Sequence, residues 1–254
     1  MYLDSVKLMA KGAKNKVAFL ERSKSAYLMA SALAGTYVGL GIILIFSIGA
    51  PLADTGLIKI VMGVSFGIAL TLVVFAGSEL FTGNNMIMTL GLLRKQVKPM
   101  GLLKVWCFSW TGNLIGSMVL AYIVIASGTL DRAGDFIQAV SAKKMNMPIM
   151  ELFLRGILCN WLVCLALWTS SRAKSDAAKC ILIFWCLFAF IACGFEHSIA
   201  NMTLLSTALF MNHAADVSWF GFGYNLFWVS LGNIVGGGFF VGYLYWFSCR
   251  REIE

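Results

Sequence analysis

The chain has 254 residues, of which 59% are hydrophobic and only 13% are charged, and its mean hydropathy is +0.81. A water-soluble domain of this size needs more charge on its surface, so this balance predicts a polytopic membrane protein with one membrane domain over residues 1–254. The net charge of +8 does not indicate a nucleic-acid partner, because the basic residues stand at the ends of apolar segments, where they fix orientation.

The first 24 residues are basic and amphipathic. Apolar residues recur at steps of three and four from Leu3 to Leu20, and lysines lie around this stripe at positions 7, 11, 14 and 16. This pattern predicts a helix over residues 1–24 that lies on the inner membrane surface, either as a simple cytoplasmic anchor or as a gate. Because the stretch has no continuous apolar core, we do not expect a cleavable signal peptide.

Six apolar segments follow, and the second and fifth are too long for one straight crossing of about 20 residues. We therefore expect an all-α integral membrane protein with six transmembrane helices, in which helices 2 and 5 break near the bilayer midplane, around residues 77–83 and 193–201. A polar link at 127–147 separates a first half, 25–126, from a second half, 148–249. The segments cover residues 27–48, 58–93, 102–126, 148–171, 177–211 and 224–247.

Most of the 20 basic residues fall on one side of this arrangement. Arg155 lies within the fourth segment, and the exceptions on the other side are Lys59, Arg132, Lys143 and Lys144. Because positive charge is enriched in cytoplasmic loops, we expect both termini of this multi-pass protein to face the cytoplasm from the cell (inner or plasma) membrane. The link at 127–147 is then external.

The two predicted breaks share one pattern, Gly-x-Glu with an asparagine seven residues after the glycine. The separation between Glu79 and Glu196 nearly equals that between Asn113 and Asn233, which follow glycines in the third and sixth segments. Three crossings per half is an odd number, so the second half enters from the opposite side, which predicts a 3+3 inverted repeat. The residues expected to shape the breaks are Glu79, Glu196, Gly77, Gly83, Gly194, Asn84 and Asn201.

A break leaves a half-helix whose N-terminus is the positive end of its dipole, so two breaks that face the midplane favour an anion over a metal cation. His197 is a candidate pore residue, because an imidazole changes charge near neutral pH and can attract an anion or pass it a proton. Its alternative role is hydrogen-bonded packing. We expect the carboxylates of Glu79 and Glu196 to bind free backbone N–H groups rather than substrate.

Further side chains near the breaks are candidates for the path of the anion. Thr82 is either a hydrogen-bond donor to the substrate or a loop-stabilising hydroxyl. Leu80 and Phe190 are either apolar constrictions that exclude hydrated ions or packing residues. Lys144 either concentrates anions at the outer mouth or is an ordinary loop charge. Asn160 is kept in the pathway, although an interhelical hydrogen bond explains it better.

The remaining polar residues are predicted to be structural. Asn113 and Asn233 fit interhelical hydrogen bonds, and His213 is expected to be solvated in an outer loop. The seven cysteines form no Cys-x-x-Cys pair, and six of them lie in apolar runs, which is typical of packing residues. We therefore expect no metal site, no cofactor and no catalytic group.

Four motifs in this order resemble the formate/nitrite transporter family along nearly the whole chain. Segments one and two look most like the nitrite channels of that family, and its hydrosulfide channels are also similar. The motifs are AGSELFTGN at 76–84, RGILCNWLVC at 155–164, GFEHSIANM at 194–202 and GNIVGG at 232–237.

The resemblance implies an aquaporin-like protomer that assembles as a homopentamer in the lipid bilayer, with one pore in each protomer. By motif, the pore histidine of the family corresponds to His197, its loop threonine to Thr82 and its vestibule lysine to Lys144. Its apolar constrictions correspond to Leu80 and Phe190. The implied substrates are small monovalent anions of weak acids, together with protons.

Three classes of function can be compared with these features. A membrane enzyme needs redox or catalytic clusters, and the chain has only two histidines. A scaffold would not explain two breaks that contain Glu-His and Thr. A channel or transporter for small weak-acid anions explains both, so we expect this function and no enzyme activity. Nitrite is the expected substrate, with hydrosulfide and then formate as alternatives.

Overall fold

The computed structural model describes residues 2–212 and 215–252, and the side chain of Glu252 is not described. His213 therefore lies outside the described residues. Within this part of the chain, helices of α type cover Leu3–Arg22 (α1), Lys24–Gly49 (α2), Ile58–Ser65 (α3), Ile68–Leu72 (α4), Phe81–Leu93 (α5), Pro99–Ala126 (α6), Gly134–Met145 (α7), Ile149–Ser170 (α8), Asp176–Cys193 (α9), Ser198–Phe210 (α10), Trp219–Ile234 (α11) and Leu244–Cys249 (α12).

Six helical stretches are long and apolar enough to cross a membrane. The described residues contain helices and no strand. The prediction of an all-α membrane protein with six membrane helices is thus confirmed. The stretches are Lys24–Leu52, Ile58–Gly77, Pro99–Ala126, Ile149–Ser170, Asp176–Cys193 and Trp219–Cys249.

Helical conformation stops twice inside the long apolar segments, at residues 78–80 and 194–197. Before the first interruption the helix widens to π-type bonding over Val73–Gly77, and α5 begins at Phe81. Gly77 has φ of 78° and Gly194 has φ of 72°, a left-handed conformation in which a side chain with a Cβ atom is strained. Glycine at these two positions lets the chain leave one helix and start the next.

Two pairs of helices approach at backbone distance through glycines. A Cβ atom at Gly35 of α2 would overlap the backbone of Asn113 on α6, and one at Gly116 of α6 would overlap the backbone of Ala32. In the second half, Gly156 of α8 and Gly232 of α11 pack together in the same way. Such contacts are typical of small-residue faces in membrane helices.

Two features differ from the expectations. The apolar stripe of α1, which includes Val6, Met9 and Ala13, is covered by protein and packs largely on α5, so it is not free to face lipid. The polar link at 127–147, for which the sequence indicated no helix, contains α7. Its sequence is polar enough to resemble a loop, yet Ile137 and Met145 are buried in the main core.

Candidate functional site

The first interruption is held by one asparagine of α6. Asn113 Oδ1 accepts a hydrogen bond from the N–H of Phe81 at 2.9 Å, and its Nδ2 donates to the carbonyls of Ser31 at 2.7 Å and Glu79 at 2.9 Å. The N–H of Glu79 in turn donates to the carbonyl of Ala30 at 3.1 Å. One side chain therefore caps α5 and ties the non-helical residues to α2.

The second interruption is held by the same type of residue on α11. Asn233 Oδ1 accepts from the N–H of Ser198 at 2.9 Å, and its Nδ2 donates to the carbonyls of Gly156 at 2.8 Å and Glu196 at 3.1 Å. The N–H of Glu196 donates to the carbonyl of Arg155 at 3.2 Å. Each of these contacts has a counterpart at the first interruption, and both asparagines bond between helices as the sequence predicts.

The carboxylate of Glu79 lies in a partly buried polar cluster. Lys16 Nζ of α1 lies 2.7 Å from Glu79 Oε2, and the hydroxyl of Tyr27 donates to the same oxygen at 2.7 Å. Asn84 Nδ2 lies 3.3 Å from both Glu79 Oε2 and the Tyr27 hydroxyl. The cluster connects the N-terminal helix α1 directly to the first interruption.

Glu196 has an equivalent cluster at the second interruption. Lys144 Nζ, in the last turn of α7, lies 2.5 Å from Glu196 Oε1, and Asn201 Nδ2 donates to Oε2 at 2.7 Å. Asn201 also donates to Asn225 Oδ1 at 2.8 Å. The side chain of Glu196 is 3% exposed, so its charge is almost fully removed from water and depends on Lys144 for compensation.

These contacts correct the expectation for the two carboxylates. We expected Glu79 and Glu196 to accept bonds from free N–H groups at the helix starts. Instead asparagines from α6 and α11 bind those N–H groups, and the carboxylates bind lysine and asparagine side chains. A neutral amide suffices to cap a helix, whereas a carboxylate can also compensate the charge of a partly buried lysine.

His197 bridges the two interruptions. Its Nδ1 accepts a hydrogen bond from the N–H of Ala200 at 3.1 Å and so caps α10. A backbone N–H can only donate, so Nδ1 carries no proton here and the neutral ring carries its hydrogen on Nε2. Nε2 lies 3.1 Å from Thr82 Oγ1, which belongs to the first turn of α5. His197 is 5% exposed, and the ring of Phe190 lies nearly parallel to the imidazole with 5.9 Å between the ring centroids.

Three spaces lie near this histidine, and neighbouring spaces share lining residues. The first, which we call the α1-side vestibule, has a volume of about 420 Å³ and is lined by Lys16, Glu79 and Leu80 among others. The second, the far vestibule, has about 470 Å³ and is lined by Lys144, Phe190 and His197 among others. Between them lies a small chamber of about 10 Å³ that is lined by Leu80, Phe190 and His197. It is large enough for about one water molecule.

Leu80, Phe190 and His197 are each shared between the chamber and one vestibule. Gly77, Gly83 and Asn84 line the α1-side vestibule, while Gly194 and Asn201 line the far vestibule. Thr82 and Asn160 are fully buried behind these surfaces and are not among the residues that line the three spaces.

Asn160 connects backbone and side-chain groups instead. Its Nδ2 lies 3.1 Å from the Thr82 carbonyl, 3.0 Å from Asn85 Oδ1 and 2.6 Å from the Asn233 carbonyl. These contacts explain Asn160 as an interhelical residue, the better of its two predicted roles.

Several residues of these clusters were not predicted from the sequence. Tyr27 and Asn225 complete the two polar clusters. Lys16 was identified only as one of the lysines around the apolar stripe of α1, and Lys59 lines the far vestibule. The matching positions of Asn84 and Asn201 after the two glutamates were the one signal that polar partners were needed. Among the described residues, no group of three or more metal-ligating side chains is present.

A profile described as "Formate/nitrite transporter" matches residues 4–247. The nitrite transporter NirC of Escherichia coli (strain K12) is 44% identical over 253 residues, which cover 99% of this chain and 94% of that protein. A probable formate transporter of Methanothermobacter thermautotrophicus is 39% identical, with 87% of this chain and 88% of that protein covered.

Two solved structures are also similar to the chain over most of its length. An FNT family ion channel has a TM-score of 0.92 at 41% identity and covers 97% of this chain and 99% of its own. A pentameric formate channel with formate bound has a TM-score of 0.79 at 29% identity, with coverage of 90% and 98%. The chain belongs to the formate/nitrite transporter family.

Proposed function

We propose that the chain is a transmembrane channel for small monovalent anions of weak acids and that nitrite is its principal substrate. It is a membrane transport protein and not an enzyme. The observation that carries the proposal is the position of His197, which lines a chamber between two vestibules and whose Nε2–H donates to Thr82 Oγ1. The similarity to nitrite transporters over nearly the whole chain favours nitrite.

The proposed path runs from one vestibule to the other past Leu80, His197 and Phe190. The narrow apolar chamber strips water from an ion, and hydrated cations find no carboxylate there to replace it. An anion that takes the place of Thr82 Oγ1 can accept the hydrogen bond from the Nε2–H of His197. The N-termini of α5 and α10 start next to the chamber, and their dipoles add favourable potential for negative charge.

Proton transfer to the anion is a second step that this geometry limits. A neutral imidazole cannot give up its Nε2 hydrogen to a weakly basic anion without becoming an imidazolate. The donor must therefore be the imidazolium, which carries a hydrogen on Nδ1 and loses the bond from the Ala200 N–H. In the observed arrangement His197 is a hydrogen-bond donor, and proton donation requires the start of α10 to rearrange.

We further propose a 3+3 inverted repeat in which helices 2 and 5 are broken near the midplane. Support comes from the paired contacts of Asn113 with Asn233, of Glu79 with Glu196, and of their lysine and asparagine partners. In such a repeat the two clusters lie on opposite sides of the chamber.

The proposed assembly is a homopentamer in the cell membrane with both termini in the cytoplasm. The similarity to a pentameric formate channel supports the pentamer. The uneven distribution of lysine and arginine supports the orientation.

Formate is the second candidate substrate. The formate transporter and channel relatives support it, at 39% and 32% identity. Hydrosulfide remains an alternative prediction of the sequence.

The test of the substrate is a comparison of initial flux rates in proteoliposomes that contain the purified chain. Nitrite, formate and hydrosulfide are supplied at equal concentrations, and empty liposomes correct for diffusion of the neutral acids. We expect nitrite to be fastest. If formate or hydrosulfide moves faster, the substrate assignment is wrong but the proposed path still holds. If none of these anions moves, the proposal of an anion channel is refuted.

A further inference from the structure

A groove of about 530 Å³ lies outside the proposed path, between α1 and the first turns of α2 and α6. Four lysines line it, and Glu21 contributes the one carboxylate. The lysines are Lys14, Lys24, Lys98 and Lys104.

The charges of these four lysines are not compensated by the protein. All four side chains are exposed, and none forms an ion pair within the part of the chain that the structure describes. Lys16 and Lys144, by contrast, are each bound to a glutamate. The groove is therefore a concentrated positive site that can accept an anion.

The floor of the groove is apolar. Val17 and Leu20 of α1 lie on one side, and Met100 and Phe108 of α6 lie on the other. Met100 is 60% exposed, although a thioether side chain is better placed against other apolar groups. An inorganic anion would bind the lysines but leave this apolar surface uncovered.

The groove lies at the end of two membrane spans. One span begins at Lys24 and another begins at Pro99, between Lys98 and Met100. Helix starts of this kind lie where the headgroups meet the hydrocarbon region. The lysines are thus at headgroup depth, and Phe108 lies further along α6 toward the hydrocarbon.

We propose that this groove binds an anionic phospholipid, with the phosphate among the four lysines and an acyl chain along Met100 and Phe108. Basic pockets between helices at the membrane surface suit lipid phosphates. In this groove the lysines match the phosphate of the headgroup, and the apolar floor matches an acyl chain of the same molecule. A bound lipid would also join α1 to α6, next to the helix face from which Lys16 reaches Glu79.

The proposal is tested by native mass spectrometry of the full chain in a neutral detergent. Phosphatidylglycerol and phosphatidylcholine with identical acyl chains are added separately, and the bound fraction is titrated. The test variant is Lys14→Gln/Lys98→Gln/Lys104→Gln. The control is Lys7→Gln/Lys11→Gln/Lys174→Gln, which removes the same charge from exposed lysines outside the groove.

We expect the wild type and the control to prefer phosphatidylglycerol, and the test variant to lose about tenfold or more in affinity for it, because each lysine near an anionic lipid contributes up to about fivefold. Met100→Asp, which keeps every lysine but places a carboxylate on the exposed floor, should weaken binding similarly. The melting temperature of each variant is measured in parallel, so that a folding defect can be told apart from loss of the lipid site. Nitrite flux is measured as well, so that a failure of the proposed channel function can be told apart from a failure of the lipid proposal.

Four results would overturn the proposal. Equal binding of the two lipids would mean that the lysines do not select a headgroup. An equal loss in the control would mean diffuse charge attraction. If glycerol phosphate displaces the bound lipid as readily as a short-chain phosphatidylglycerol does, the groove recognises only the phosphate and not the acyl chain. Binding of the lipid to dissociated protomers but not to the assembled oligomer would mean that a second copy of the chain fills the groove.

Discussion

The two ring nitrogens of His197 contact different partners, and substitutions can separate them. Asparagine places its Oδ1 near the position of Nδ1, so it can keep the bond from Ala200 but lacks a donor near Thr82. Glutamine reaches toward Thr82 but loses the cap. We predict that His197→Gln lowers the apparent melting temperature by about 2–4 °C, for a cap of about 1 kcal/mol, whereas His197→Asn leaves it nearly unchanged.

Thermal unfolding in detergent checks this difference, with the two variants purified side by side. A greater loss of stability in His197→Asn than in His197→Gln would show that the bond to Ala200 does not hold the start of α10.

The ion pair of Lys144 with Glu196 is predicted to be a condition for folding. With Glu196 almost fully buried, loss of one partner leaves an uncompensated charge and costs about 3–5 kcal/mol. Lys144→Met should therefore destabilise the protein strongly, and adding Glu196→Gln should restore much of the loss. The exposed pair of Lys179 with Asp176 is the control, for which Lys179→Met should cost less than about 1 kcal/mol. Equal losses at both sites would contradict this account.

At the level of helices, the left-handed glycines determine where the long apolar segments are interrupted. A methyl group added at Gly194 would lie in open space, so its replacement by alanine tests backbone conformation alone. We predict that Gly194→Ala destabilises the fold by about 1 kcal/mol or more, whereas Gly223→Ala, in open space within α11, is neutral or stabilising. Melting temperatures of the two variants decide the question. Equal effects would mean that the strained φ at residue 194 relaxes without cost.

The sequence was sufficient for the number of membrane helices and for the family, because apolar length and four long motifs are properties of the chain itself. The Gly-x-Glu pattern occurs inside both overlong segments, next to the residues that are not helical, 78–80 and 194–197. The inverted repeat and the roles of the pathway residues remain predictions.

Other features could not be predicted, because they depend on how distant elements pack. The partner of Glu79 is a lysine on α1, and nothing in the periodicity of α1 indicates which lysine faces the first interruption. The same holds for Tyr27 and Asn225. Helix α7 was missed for a different reason, since its polar composition resembles a loop and its helical form depends on the burial of Ile137 and Met145.

Considered as a whole, the molecule has two vestibules with a small chamber between them. If the anion crosses there, as we propose, the width of the chamber should determine selectivity. Phe190 is 1% exposed and borders both the chamber and the far vestibule. We predict that Phe190→Ala raises acetate flux relative to nitrite flux several-fold, because a larger anion then fits beside His197. Phe220→Ala, at a side chain that is 83% exposed and lines none of the three spaces, is the control. An unchanged flux ratio would place the selective constriction elsewhere.

The most direct test of the central claim, that nitrite crosses at His197, is nitrite flux in proteoliposomes for the wild type, His197→Asn and His213→Asn. We predict that His197→Asn loses about tenfold or more in nitrite flux, equivalent to one hydrogen bond to a charged group, while His213→Asn stays at the wild-type rate. Nitrite flux at the wild-type rate in folded His197→Asn would show that nitrite transport does not depend on the imidazole.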